Sequence, residues 1–220
     1  MKKIKIINDV YIPIIDKPIG ISVSGGADSI ILLYFLMKYH KFKIHIFTLA
    51  DKSKYFRNSK KCIHAIYECA TITNNFNFEH HITYTDKQTH GNLFSTMQQY
   101  IASNKIYLGY HGITANPPDE VLEDKNIFST KTSENKFRNP NVKKEILFGN
   151  KRCRPWINID KKIIHQMYRE NNLLDRLFPL TSSCEWFEGL PFDQTVDPYI
   201  DHCGHCWWCE ERKWGFGCLV

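Results

Sequence analysis

The stretch Ile19-Gly20-Ile21-Ser22-Val23-Ser24-Gly25-Gly26-Ala27-Asp28-Ser29 runs without a break into the apolar block Ile30 to Met37. A buried strand, a tight glycine turn and a helix together satisfy that pattern. Adjacent glycines lack Cβ atoms and tolerate positive φ, so several backbone N–H groups can converge at the mouth of the helix. The helix N-terminus adds unpaired donors and partial positive charge at the same place, which makes it an anion site. The hydroxyls of Ser24 and Ser29 can donate to phosphate oxygens there. The plainer alternative is a glycine turn in which Asp28 or Ser29 caps a helix.

A Walker loop ends in Gly-Lys-Ser/Thr, and no lysine follows these glycines. The segment Ser24-Gly25-Gly26-Ala27-Asp28-Ser29 instead resembles the pyrophosphate loop, Ser-Gly-Gly-x-Asp-Ser, of the ATP pyrophosphatase superfamily. That resemblance implies cleavage of ATP to AMP and pyrophosphate while a substrate is adenylated. Ser24, Gly25, Gly26, Asp28 and Ser29 would then hold the ATP phosphates. At a helix mouth the Asp28 carboxylate repels pyrophosphate unless it binds magnesium or orients loop donors, which makes it a candidate catalytic group.

The flanking sequence supports an α/β class with a Rossmann-like parallel sheet. A helix over Asp28 to Tyr39 and a strand over Lys43 to Leu49 complete one parallel crossover unit. Ile63, Ile66, Tyr67 and Ala70 mark one face of a helix over Ser59 to Thr71. A strand over Asn77 to Tyr84, a helix over Leu93 to Ala102 and a strand over Lys105 to Gly109 follow. His80 and His81 read as structural residues of their strand.

Ligands of open parallel sheets lie beyond the carboxyl ends of the strands. The segment Ala50 to Lys54 is therefore expected to frame the nucleotide, with Lys52, Lys54 and Arg57 either meeting phosphate or remaining solvated. The loop Tyr110 to Pro118 is the candidate for substrate recognition through His111, Thr114 and Asn116. Residues 1–18 predict an edge strand or hairpin, and the polar residues 119–150 predict a mobile insertion, either a lid or a connector. Asp160 is a candidate N-cap for a helix carrying Ile163, Ile164, Met167 and Tyr168.

A net charge of +6, from 29 basic and 23 acidic residues, suits an anionic substrate such as ATP, yet no basic stripe marks a nucleic-acid face. The longest apolar run, Ile30 to Met37, is too short for a bilayer, and Asn8, Asp9, Pro13 and Asp16 interrupt any signal-peptide core. A soluble, cytoplasmic protein without a membrane partner is expected, and a homodimer is one arrangement open to it.

Four of the eight cysteines are Cys184, Cys203, Cys206 and Cys209, the last three spaced Cys-x-x-Cys-x-x-Cys. Thiolates at this spacing can reach one ion, and four of them suit structural zinc in a closed tetrahedral site. An iron–sulfur cluster and disulfides are the alternatives. The nearby Trp207, Trp208 and Trp214 read as packing around that fastening. Residues 1–180 are thus assigned to the nucleotide domain and 181–220 to a metal-binding segment.

The loop and the segment Cys203-Gly204-His205-Cys206, with Cys184 and Cys209, together resemble the 7-cyano-7-deazaguanine synthase family. Pro155 with Lys161 six residues later, and Thr181-Ser182-Ser183-Cys184, add to the resemblance, which spans about residues 19–109 and 152–216. It implies conversion of 7-carboxy-7-deazaguanine to the nitrile with ammonia and ATP, a structural zinc, and Lys161 neutralising charge at the α-phosphate. Asn116-Pro117-Pro118-Asp119-Glu120 stands where that family carries a Tyr-Pro-Asp-Cys-Arg-like stretch, which leaves the acceptor open. Alternatives are adenylation of another carboxylate, transfer of a deazaguanine to a different acceptor, tRNA thiolation with Cys153 as the reactive thiol, or a non-catalytic nucleotide-binding module.

Overall fold

The computed structural model describes residues 1–51, 56–85, 90–122, 138–149, 151–184, 202, 204 and 206–219. A hairpin of β1 (Lys2–Ile7) and β2 (Val10–Ile14) comes first and forms its own two-stranded sheet. The predicted strand, turn and helix follow as β3 (Ile19–Ser22) and α1 (Ala27–Tyr39). Then come β4 (Ile44–Asp51), α2 (Phe56–Thr73), β5 (Phe78–Thr85), α3 (His90–Ala102), β6 (Leu108–His111) and α4 (Asp119–Leu122). The last elements are β7 (Leu147–Phe148), β8 (Arg152–Cys153), α5 (Lys161–Glu170) and α6 (Trp207–Phe216). None of the helices among the described residues is long and apolar enough to cross a membrane.

The main sheet has the order β5-β4-β3-β6-β8-β7, parallel throughout except for the antiparallel edge strand β7. Taken in chain order, its parallel strands give the 3-2-1-4-5 arrangement of a Rossmann-like half, with the switch point between β3 and β6. Ligands of open parallel sheets lie beyond such a switch point, and the glycine turn and the loop after His111 leave the strands there. The first helix explains why β3 is central. It is apolar all round, with ten of its residues buried from Ala27 to Met37, so it must be covered on several faces. The sheet covers one, and α2 and α5 cover the others.

The fourth parallel strand begins later than its composition predicts. Pairing with β3 starts at Leu108 opposite Ile19, and Lys105 to Tyr107 form the approach to it. The N–H groups of Lys105 and Ile106 both donate to the Tyr100 carbonyl at the end of α3, and that of Tyr107 donates to the Pro18 carbonyl. The strand is shifted because its first apolar residues are spent on closing the helix, and His111 becomes its last residue. The hairpin is fastened to the same region by the Tyr110 hydroxyl, which donates to the Pro13 carbonyl.

The polar stretch 119–150 is not uniform. Its residues 123–137 and 150 lie outside the described residues, whereas β7 joins the sheet edge and Arg138 is buried. The predicted cap holds: the Asp160 side chain accepts from the N–H groups of Lys162 and Ile163.

His40, which closes α1, is 3% exposed, and burial lowers its pKa to about 4 against an opposing pull from Asp16. Between its ordinary value of 6.5 and about 4, the unfolded chain takes up a proton that the folded chain refuses. This contribution to stability is intact above pH 6.5 and is lost as pH falls toward 4. The urea midpoint should fall across that window, and His40→Gln should flatten part of the fall.

Candidate functional site

The turn after β3 is built as an open cradle. Gly25 has φ +87°, a conformation that a side chain would strain, and Gly26 is the N-cap of α1 in an extended conformation. No side chain caps this helix, so neither Asp28 nor Ser29 serves as its cap. The first intrahelical bond runs from Ile30 N–H to the Gly26 carbonyl, which leaves the preceding N–H groups at the mouth without helical acceptors. The two serines brace the turn internally: Gly26 N–H donates to Ser24 Oγ and Ser24 N–H donates to Ser29 Oγ, each at 3.3 Å.

Neighbouring elements fix the helix start by gripping its carbonyls. Trp156 Nε1 donates to the Asp28 carbonyl at 3.1 Å, and the Tyr168 hydroxyl donates to that of Ala27 at 2.9 Å. Ser182 N–H donates to the Gly25 carbonyl at 2.9 Å, bringing the Thr181–Cys184 segment alongside the turn. Gly112 completes the wall. A Cβ there would stand 2.8 Å from Asp28 O and from Ser29 N and Cα, all of them backbone. Gly112→Ala is expected to push the first turn of α1 out of place, lowering stability by about 1–3 kcal/mol, which thermal unfolding would read.

The structure brings Asp28 and Lys161 together from positions 133 residues apart. Lys161 is the first residue of α5, is 4% exposed and pairs through Nζ with Asp28 Oδ2. The other carboxylate oxygen, Asp28 Oδ1, is buried without a hydrogen-bond partner among the described residues. On its far side Lys161 Nζ lies 3.8 Å from Glu211 Oε2, and Glu211 also pairs with Arg138. Asp28, Lys161, Glu211 and Arg138 thus alternate in sign along one buried line.

Sequence reasoning missed the last two. Arg138 lies in a polar stretch that reads as solvated. Glu211 offered a faint signal, being a charge inside the aromatic and cysteine-rich run Trp207 to Trp214.

The three predicted substrate residues lie behind this line. His111, Thr114 and Asn116 are all buried, at 2%, 1% and 4% exposure. Arg138 donates to the Thr114 carbonyl and hydroxyl and to the Ala115 carbonyl, while Asn116 N–H donates to the Arg138 carbonyl. Burial lowers the His111 pKa to about 3, helped by Arg154 and Arg152, so its imidazole is neutral at physiological pH. Lys52, Lys54 and the segment around them fall outside the described residues, as does the side chain of Arg57.

Cys184, Cys206 and Cys209 converge. Their sulfurs lie within 4.8 Å of one another, and Cys184 and Cys209 are wholly buried. Cys203, the fourth predicted ligand, lies outside the described residues. Gly204, at φ +80°, turns the chain so that its backbone bonds the Cys209 sulfur. The crowding of neighbouring thiols pushes the Cys209 pKa up, and a soft cation among them would reverse that by favouring thiolates. The donor set therefore fits a thiophilic metal.

Cys153 is different: fully buried, with its pKa raised by desolvation, it has the opposite character to a nucleophilic thiol.

Arg212 links this cluster to the cradle. It is 1% exposed, and burial lowers its pKa to about 10. It donates to the carbonyls of Thr181, Phe178 and Leu219 and stacks 3.9 Å over the Phe178 ring. Gly215 allows α6 to lie directly on α5, since a Cβ there would come 2.2 Å from Lys161 Cβ. Compared with known proteins, the chain matches no family model and no curated protein.

Proposed function

We propose that the protein is an ATP-dependent adenylating enzyme that activates a carboxylate acceptor, resembling 7-cyano-7-deazaguanine synthase. The supporting observation is the pairing of Lys161 with Asp28 beside an uncapped helix mouth, at the switch point of a parallel sheet. Backbone donors of Gly25 to Ser29 and the serine hydroxyls receive the departing pyrophosphate. An oxygen of the acceptor carboxylate attacks the α-phosphorus, and the bond from that phosphorus to the bridging oxygen breaks. Lys161 faces the charge that develops there, and Asp28 holds the ammonium in place.

Ammonia then displaces AMP to give the amide. A second ATP then transfers its AMP to the amide oxygen with release of pyrophosphate, and loss of that AMP with the amide oxygen, and of the two N–H protons, gives the nitrile. The Asp28 carboxylate would be the group to hold a magnesium ion, which would supply neutralisation of the phosphate charge.

The cysteine cluster is proposed to hold structural zinc that fastens the start of α6 to the Thr181–Cys184 segment, with no part in the chemistry. Metal analysis of protein purified without oxygen should find about one zinc per chain at this cluster and no sulfide. Iron with sulfide would replace the zinc assignment.

The reaction is tested by measuring AMP and pyrophosphate released from ATP with ammonia and a panel of deazaguanine and other carboxylates. Stoichiometric AMP with one acceptor supports the reading. No ATP cleavage with any acceptor favours a non-catalytic nucleotide-binding module, and sulfur incorporation into tRNA favours thiolation.

A further inference from the structure

We propose that His45, Glu79 and His81 form a metal site, independent of the cysteine cluster, for one divalent transition ion of the zinc class. The three residues stand on two neighbouring parallel strands. His45 of β4 is the register partner of Glu79 on β5, and Phe47 is the partner of His81. Residues two apart on a strand share a face, so Glu79 and His81 project to the same side as His45. That side is the one covered by α3, whose Tyr100 ring lies 4.8 Å from the His81 ring and 5.5 Å from that of His45. The site lies in the amino half of the strands, away from the end at which the glycine turn opens.

The separations suit a single ion. His45 Nδ1 is 3.0 Å from His81 Nε2, with Glu79 Oε2 3.8 Å from the first nitrogen and Oε1 3.7 Å from the second. Tetrahedral zinc with bonds of about 2.0–2.1 Å holds its ligand atoms about 3.3 Å apart. The observed edges bracket that value, so small side-chain rotations suffice.

The ring planes of His45 and His81 lie within 13° of parallel, and their facing nitrogens, 3.0 Å apart, share a hydrogen bond that an ion would replace. The remaining nitrogen of His81, Nδ1, lies 3.4 Å from the Tyr100 hydroxyl. When Nδ1 carries the proton and donates it to that oxygen, Nε2 is left with a lone pair, the arrangement of a metal-bound imidazole with an outer partner.

Two neutral imidazoles and one carboxylate form a donor set suited to zinc or nickel. Glu79 is half exposed, which leaves the ion a path in from solvent and a position for water. Lys43 Nζ, 3.4 Å from Glu79 Oε2, would have to swing aside, and it is itself half exposed.

The test is zinc titration of the full chain, comparing wild type, His81→Gln, Glu79→Gln and Tyr100→Phe by calorimetry and by metal content after desalting. The wild type should take up one more equivalent than His81→Gln. Glu79→Gln and Tyr100→Phe should bind that equivalent at least about tenfold more weakly. Because the comparison is between variants, the number of ions at the cysteines does not enter it.

Added zinc should also raise the melting temperature of the wild type more than that of His81→Gln. Equal uptake by wild type and His81→Gln overturns the site and leaves a hydrogen-bonded polar cluster. If His81→Gln fails to fold, Glu79→Gln decides: unchanged zinc affinity there overturns the proposal.

Discussion

Asp28→Asn should lower ATP turnover by about a hundredfold or more while leaving the fold and metal content unchanged. The substitution preserves size and removes the charge that holds Lys161 at the mouth of α1. Lys161 then keeps only Glu211, 3.8 Å away on the opposite side, and its ammonium is drawn from the cradle toward the core. One carboxylate oxygen becomes an amide nitrogen, which removes the negative charge available to a cation. Acceptor-dependent AMP formation reads the effect, with circular dichroism and metal content as controls. A variant as fast as the wild type would show that Asp28 only helps to set the helix start, and the proposed chemistry of the loop would fall with it.

The largest effect on stability should come from Glu211→Gln, at about 3 kcal/mol or more. Glu211 is wholly buried and faces two cations, Arg138 and Lys161, themselves 5% and 4% exposed. Removing its charge leaves those cations desolvated with one carboxylate fewer between them, which costs far more than losing an exposed ion pair. Urea unfolding should show the loss, while exposed Glu145→Gln should stay within about 0.5 kcal/mol of wild type. Adding Arg138→Met to Glu211→Gln should recover part of the deficit, since an unpaired charge is removed with its partner. A loss below about 1 kcal/mol for Glu211→Gln alone would contradict the buried pairing.

What was legible in the sequence was local. Gly25 and Gly26 between two apolar runs specify a strand, a turn and a helix because few other residues permit that turn, and the parallel order follows from the crossover lengths. Lys161 was reached through the resemblance and not through its surroundings, and Asp28 through its place at the helix mouth. The partners that hold them were not legible.

Arg138 is a cation in a polar run, and nothing local distinguishes a buried guanidinium from a solvated one. Its burial depends on carbonyls of Thr114 and Ala115, more than twenty residues away. The start of β6 was misplaced for a related reason: Lys105 to Tyr107 have strand-like composition, but their N–H groups are taken by Tyr100 and Pro18. His81 read as structural because a sequence does not reveal which residue will stand across the ladder, and it took the β4–β5 register to set His45 beside it.

The position of Glu211 along the chain also has a consequence for the order of events at the ribosome. Arg138, Lys161 and the sheet that surrounds Asp28 are translated before α6, so a nascent chain that stops short of Glu211 holds Arg138 without its carboxylate and Lys161 with Asp28 alone. Packing them at that stage would bury uncompensated charge, which opposes premature closure of the cradle. The line from Asp28 to Arg138 is therefore completed only when α6 docks, with Gly215 against Lys161. The charge balance beside the glycine turn thus waits on a helix that is translated long after it.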